Sequence, residues 1–314
     1  MPRLRTRHEW KAVMFAAALA SVFAHAAGNP SATTPAATTD EIEGITVLGT
    51  RERVIRDFIT SYAAPVTATG QIARWNAPLC ISVDGIVDFQ IALVKERVTS
   101  LASKVGLTVD AHPKCKPNVR VVFNSKAQAY LDQIRRSKPW MLGVHYAAEA
   151  KEIATLRHPI QSWYATATVD ANGVVTRDDV NEGAFTADGG FVTTARVAGR
   201  IRVGTRGAFT DALIVVDHQQ IKDVGMGALA DYIAMLALAQ TKTFGDCRAL
   251  PSISNLFAPD CALEKKSKTL TETDIAFVRA LYRMDPERTP GMQQIDLAAG
   301  MKRFLEQPDL AARE

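Results

Sequence analysis

Leu229-Ala230-Asp231-Tyr232-Ile233-Ala234-Met235-Leu236-Ala237-Leu238-Ala239-Gln240 is the stretch on which the fold turns. It comes after the strand-like run Ala212–Asp217 and the glycine-broken turn Gly225-Met226-Gly227. Leu229, Ile233, Leu236 and Ala237 recur at helical spacing and make one apolar stripe, which predicts a helix packed in the core. A strand, a turn and a buried helix in that order set the frame for the rest of the chain.

The N-terminus reads as a Sec-type signal peptide over residues 1–26. Arg3, Arg5, Arg7 and Lys11 form a basic region, Ala12 to Phe23 an apolar one, and Ala24-His25-Ala26 a small-x-small cleavage signature, with cleavage after Ala26. The apolar run falls short of the ~20 residues needed to span a bilayer. An uncleaved N-terminal anchor is the alternative. No later segment reads as a membrane span, so the expected location is periplasmic or secreted. The leader holds four basic residues and one acidic, so its loss takes the net charge from +4 to about +1. The densest basic cluster left is Lys265-Lys266-Ser267-Lys268, too short for a phosphate-binding face, and nucleic acid is not an expected partner.

Four cysteines, Cys80, Cys115, Cys247 and Cys261, suit an oxidising compartment. Four permit three connectivities; their grouping favours Cys80–Cys115 and Cys247–Cys261. None has the close Cys-x-x-Cys spacing of a structural zinc site.

Residues 27–41 are dominated by Ala, Thr, Pro, Ser and Gly without periodicity and read as a disordered linker. Residues 42–306 read as the folded part, either one large domain or two lobes with a boundary near 225–240, and 307–314 as a flexible tail. Helices are expected over Arg51–Tyr62, Phe89–Val105, a segment capped by Asn124 or Ser125, Thr271–Arg283 and Asp296–Leu305. Strands are expected at Leu79–Val83, Asn118–Phe123, Trp163–Val169, Val174-Val175, Phe191–Val197, Ile201–Val203 and Ala212–Val216. Asp170-Ala171-Asn172-Gly173 supplies a hairpin signal. The class this predicts is α+β, a mixed twisted sheet with packed helices and a helical C-terminal third.

Chemistry is sparse. The four histidines outside the leader, His112, His145, His158 and His218, show no ligand spacing; His145 beside Tyr146 and Asp217-His218 at a strand end are the two worth seeking in a cleft. Asp84, Asp88, Asp211 and Asp217 would act as paired carboxylates only if the fold brought them together. Nucleophile elbows and glycine-rich phosphate loops are absent from the sequence. Ile45-Thr46-Val47-Leu48-Gly49 resembles the TonB-box-like stretch near the start of many outer-membrane receptors, but no barrel lies downstream; the plainer reading is a strand with a glycine turn.

A wider resemblance joins the Leu229 helix to three stretches C-terminal to it. These are Pro251-Ser252-Ile253-Ser254-Asn255-Leu256-Phe257, then Leu270-Thr271-Glu272-Thr273-Asp274 opening a helix, then a Pro290-Gly291-Met292 turn leading to the final helix. This order resembles an uncharacterised proteobacterial family of secreted proteins and predicted lipoproteins, similar to zincin-like metallopeptidases. The resemblance implies a zincin-like fold over roughly residues 75–305. A working enzyme of that kind carries His-Glu-x-x-His, two imidazoles one turn apart on a metal with a glutamate as base. Here Asp231, Tyr232 and Met235 stand at those positions, so no catalytic, metal-binding or cofactor residue is assigned. The expectation is a non-catalytic protein binding a peptide, protein or envelope component in the former substrate cleft. The alternatives are a hydrolase assembled from separate elements, with Asp231, His218 or His145 contributing, and a structural factor of the cell envelope.

Overall fold

The computed structural model describes residues 39–66, 69–144, 147–170, 172–176 and 201–307. The signal peptide with Ala26, the linker up to residue 38, His145, the Phe191–Val197 strand and the tail from 308 lie outside them. In chain order the elements are α1 (Thr39–Tyr62), β1 (Ile81–Asp84), α2 (Asp88–Ser103), β2 (Val119–Asn124), α3 (Ala127–Ser137), α4 (Ala147–Ile153), β3 (Ile160–Asp170), β4 (Val175–Thr176), β5 (Thr205–Asp217), α5 (Met226–Leu238), α6 (Glu272–Arg283) and α7 (Pro290–Glu306). Short 3-10 turns cover Pro139–Leu142, Ile253–Asn255 and Leu263–Lys265. The chain divides after Glu43, and the whole sheet lies in the unit Gly44–Glu314.

The class is α+β with a mixed sheet in the order β1-β2-β5-β3-β4. β1, β2 and β5 run parallel; β3 is antiparallel to β5, and β4 to β3. A parallel pair needs a crossover, which α2 supplies between β1 and β2. Helices cover both faces of the central strands. Val119, Val121, Ala212, Ile214 and Val216 pack into the core containing α2 and α5, while Leu213 and Val215 join Leu131, Met141 and Trp163 on the other side. Burial on two faces explains why β5 reads as the unbroken apolar run Ala212–Val216.

Both expected disulfides are present. Cys80–Cys115 joins the entrance of β1 to the approach to β2 with Cα atoms 6.0 Å apart, and Cys247–Cys261 closes the loop after α5 at 5.0 Å. Disulfides of this kind persist in oxidising compartments. Among the described residues no helix is long and apolar enough to cross a membrane.

Three expectations are corrected. Ile45–Gly49 is neither a strand nor a free recognition segment but part of α1, which starts at Thr39 within the stretch read as linker; Thr39-Asp40-Glu41 is a good helix start, because a hydroxyl and acids favour a helix N-terminus. Ile201–Val203 forms no strand, only a single bridge from Arg202 to Arg288. Pro290-Gly291-Met292 is no turn but the first turn of α7, where proline is well suited because its missing N–H is not needed.

Helix α5 sits at the centre. Every residue from Ala228 to Leu238 is buried, as expected for a helix that is apolar all round. Its last carbonyls therefore cannot reach water, and an unpaired buried carbonyl is costly. Three side chains from three separate elements satisfy them. Tyr164 Oη, on β3, is 2.7 Å from Leu236 O and 3.1 Å from Ala239 O. Trp75 Nε1 donates to Ala237 O at 2.7 Å, and Tyr282 Oη, on α6, to Leu238 O at 2.9 Å. Tyr282→Phe removes one donor with almost no change of shape, and should cost about 1–2 kcal/mol. The check is a lower denaturant midpoint with an unchanged slope.

Candidate functional site

The three positions where a zincin would place its two metal-binding histidines and its base point into packed protein. Asp231, Tyr232 and Met235 are 2%, 4% and 1% exposed, so none borders an open cleft. Asp231 Oδ2 accepts the Leu270 N–H at 3.1 Å, and Arg97 on α2 lies 3.6 Å from Oδ1. Burial pushes its carboxyl above the ordinary range, against the pull of the Leu270 N–H and the Arg97 charge. Tyr232 meets Phe257 edge-on at 5.1 Å and stacks toward His158 at 6.2 Å. Its phenol is raised far above its ordinary value by burial. Met235 fills the core. The expected binding cleft is not on this helix, because α2 and the segment around Leu270 close over it.

Two of the three downstream stretches form one clamp. Asp274, fully buried, accepts hydrogen bonds from Ser252 Oγ, the Ile253 N–H at 2.9 Å and the Thr271 N–H at 2.8 Å, while Thr271 Oγ1 caps the Asp274 N–H. Thr271 and Asp274 thus form a capping box at the start of α6. Asn255 accepts the Arg248 N–H and donates to Leu250 O and Lys265 O. The Pro-Ser-Ile-x-Asn and Leu-Thr-x-x-Asp stretches therefore hold each other, and Leu270 ties them to Asp231. Their spacing reflects a buried polar network rather than a catalytic constellation.

The remaining sequence candidates are dispersed. His218 is exposed at the end of β5, packed 5.9 Å from Phe123, with its N–H donated to Asn124 O. Asp217 accepts from the Gln219 N–H and from Gln220 Nε2, which leaves it closing a turn. Asp211 pairs with Arg120 in the sheet, and burial raises its carboxyl in spite of that partner. Strand register puts Asp84 level with Val122 and Val215, four residues along β5 from Asp211 and two strands away. At roughly 3.3 Å per residue that separation is too large for a working carboxylate pair. Among the described residues no three His, Cys, Asp or Glu side chains are grouped so as to hold a metal ion.

One opening lies along β3, and another, of about 430 Å³, lies between α1 and α7. A cavity of about 460 Å³ is bounded by Leu142–Val144 before α4, Glu152–Arg157 at its C-terminal end, Gln161–Tyr164 of β3 and Gln240–Phe244 after α5. β4 pairs only with Thr168 and Val169, so among the described residues no strand pairs with the outer edge of β3 from Ile160 to Ala167. The phase of that edge is set by its hydrogen bonds. The Ala212 N–H turns toward β2, to Asn118 O, and the Asp217 N–H goes to Pro159 O. Gln161 and Trp163 are then the residues bonded to β5, and Ile160, Ser162 and Tyr164 turn N–H and C=O outward.

Gly143 confirms the phase: it has φ 78°, and a Cβ there would stand 2.1 Å from the Tyr164 carbonyl oxygen. Only glycine fits that approach. Ser162 is left as the open rung, with Gln240 Oε1, buried and without a partner among the described residues, on the same wall. His158, which the sequence presents as one scattered histidine among four, stands at the end of this edge. Nothing in its spacing signals that position, because its neighbours come from three other segments.

No protein-family model, curated protein or solved structure matches the chain.

Two substitutions separate the clamp from the helix position it holds. Asp274→Ala strands several buried donors at once and should cost about 3 kcal/mol or more, whereas Asp231→Asn keeps an acceptor for Leu270 and should cost about 1 kcal/mol or less; urea unfolding reads both. Asp231 has a further signature. Its folded chain holds the proton more tightly than an unfolded one, in which Asp titrates near about 3.9. Its contribution to stability is therefore fullest below that value and is lost as pH rises through the raised folded value. Wild type should lose stability relative to Asp231→Asn as pH rises from about 4 to about 7. A difference that stays constant would mean Asp231 keeps its ordinary acidity.

Proposed function

We propose that the chain is an exported, non-catalytic binding protein, periplasmic or secreted, that takes an extended peptide segment along the outer edge of β3. The observation that carries this reading is the open rung at Ser162, set inside a walled groove. An added strand would exchange hydrogen bonds with that outward N–H and C=O, and its alternate side chains would meet the walls at Leu142 and Phe244 and the polar group at Gln240. Main-chain bonding of this kind gives affinity without demanding one sequence. On this reading the likeness to zincin-like metallopeptidases is one of scaffold, and the helix bearing Asp231, Tyr232 and Met235 is a core element without chemistry. Export is supported by the two disulfides together with the N-terminal signal pattern.

Panning a library of short unstructured peptides against the mature protein tests the idea directly. Selected peptides should shift the Ser162 amide resonance and lose affinity when N-methylated at alternate residues, with little loss at the residues between. If no peptide is enriched, or if binding ignores N-methylation, the reading fails. Metal analysis gives a second check: purified protein should carry substoichiometric zinc that Asp231→Ala leaves unchanged. Stoichiometric zinc lost in that variant would restore a metal site to α5 and overturn the non-catalytic reading.

A further inference from the structure

His158 is held where, among the described residues, a positive charge has no hydrogen-bonding partner at Nε2. Its ring lies 5.5 Å from Phe244, 5.4 Å from Phe257 and 6.2 Å from Tyr232, centroid to centroid. Gly245 backs onto it so closely that a Cβ there would be 3.6 Å from Cδ2. Nδ1 lies 2.6 Å from Ile160 O and 3.3 Å from the Ile160 nitrogen; the shorter contact is to a carbonyl, which only accepts, so Nδ1 carries the proton and donates. Nε2 is then a bare lone pair, and it is buried without a hydrogen-bond partner among the described residues. Ile160 is the first outward-facing rung of the β3 edge, so the imidazole occupies a carbonyl that an added strand would otherwise reach. Phe244, on the other side of the ring, belongs to the wall of the same groove.

We infer that His158 is an acid-sensitive pin: protonation at Nε2 drives the ring from its aromatic cage, frees the Ile160 rung and loosens the Phe244–Gly245 wall. The physical reason is an imbalance between the two nitrogens. The second proton would sit on Nε2 against Phe244, Phe257 and Gly245, where no acceptor waits, and an uncompensated buried charge is expensive. The groups facing the ring come from α5 (Tyr232), the loop after α5 (Phe244 and Gly245), the loop after the Ile253–Asn255 turn (Phe257) and β3 (Ile160). Tyr232 is the one titratable side chain among them, and burial keeps its phenol protonated. Desolvation accordingly holds the His158 ring below the ordinary histidine range, although its bond to Ile160 O pulls the other way. The inference rests on the peptide-groove reading only in naming what the pin regulates; the opening itself needs no ligand.

The test uses the ligand-free mature protein. His158 ring resonances and amide hydrogen exchange are followed from about pH 7.5 to about pH 4.5, the span across which a histidine titrates. Protonation of His158 should coincide with a rise of about ten-fold or more, after correction for the intrinsic rate, in exchange at Ile160 and at Phe244–Asp246. His158→Phe, which fills the cage without titrating, should abolish the rise; His158→Leu serves the same purpose if the larger ring fails to fold. A ring that titrates with no local change in exchange overturns the inference, as does an equal rise in either variant. Opening on acidification in a protein that selects no peptide would keep the pin and sink the peptide reading. Peptide selection without any change at His158 would sink the pin alone.

Discussion

The structure depends on the burial of the C-terminal end of α5. A helix buried from Ala228 to Leu238 leaves its last carbonyls inside the protein, and each of them demands a donor or costs the full desolvation of a peptide group. Trp75, Tyr164 and Tyr282 supply those donors from the loop before β1, from β3 and from α6. The same three bonds therefore fix how the sheet, the N-terminal loop and the C-terminal helices meet. Burying Leu229, Ile233, Leu236 and Leu238 contributes roughly 1.5–3 kcal/mol each. That gain exceeds the cost of taking Asp231 into the core with a hydrogen bond to Leu270.

Around that helix the polar residues act as positioning devices. Arg248 is almost wholly buried, and among the described residues no carboxylate forms an ion pair with it. It lies over the Tyr62 ring at 5.3 Å and donates to Ser61 O, Thr241 Oγ1 and Thr243 O, joining the end of α1 to the loop after α5. Arg74 donates to the carbonyls of Leu281, Tyr282 and Met284, closing the C-terminal end of α6. Gln293 accepts the Ile72 N–H at 2.7 Å. All of these bonds but the one to Thr241 Oγ1 answer a backbone group that the packing has removed from water. Residues that look functional in one dimension are consumed by that requirement.

What remains available for binding is where the requirement is not met. Among the described residues, β3 has a partner on one side over its whole length and on the other only at Thr168 and Val169. Its outward groups at Ile160, Ser162 and Tyr164 meet three different fates: an imidazole, an open groove and the backbone of Gly143. That difference gives the edge a defined site rather than an exposed row of hydrogen bonds, which would be an aggregation hazard.

Local pattern carried the elements whose periodicity is strong. The apolar run Ala212–Val216, the Leu229 helix and the Phe89–Val105 rhythm are visible in the letters because they report burial of their own residues, and the Asn-Gly hairpin is visible because its turn needs positive φ. The cysteine grouping likewise reported two short-range staples. Pattern failed at Ile45–Gly49, whose β-branched residues read as a strand, and at Pro290–Met292, where a helix start looks like a turn. It also gave a likeness to a metal-binding helix with no means of seeing that α2 and Leu270 cover it. The sequence by itself determined the α+β class and the core helix and favoured the disulfide pairing that the structure shows, because those depend on spacing along the chain. Only the tertiary structure decided that Asp231, Tyr232 and Met235 are buried, that the Pro251–Phe257 and Leu270–Asp274 stretches form one clamp, and that a groove lies beside His158 and Ser162. Those facts depend on which distant backbone groups are left without partners, and no local pattern encodes that.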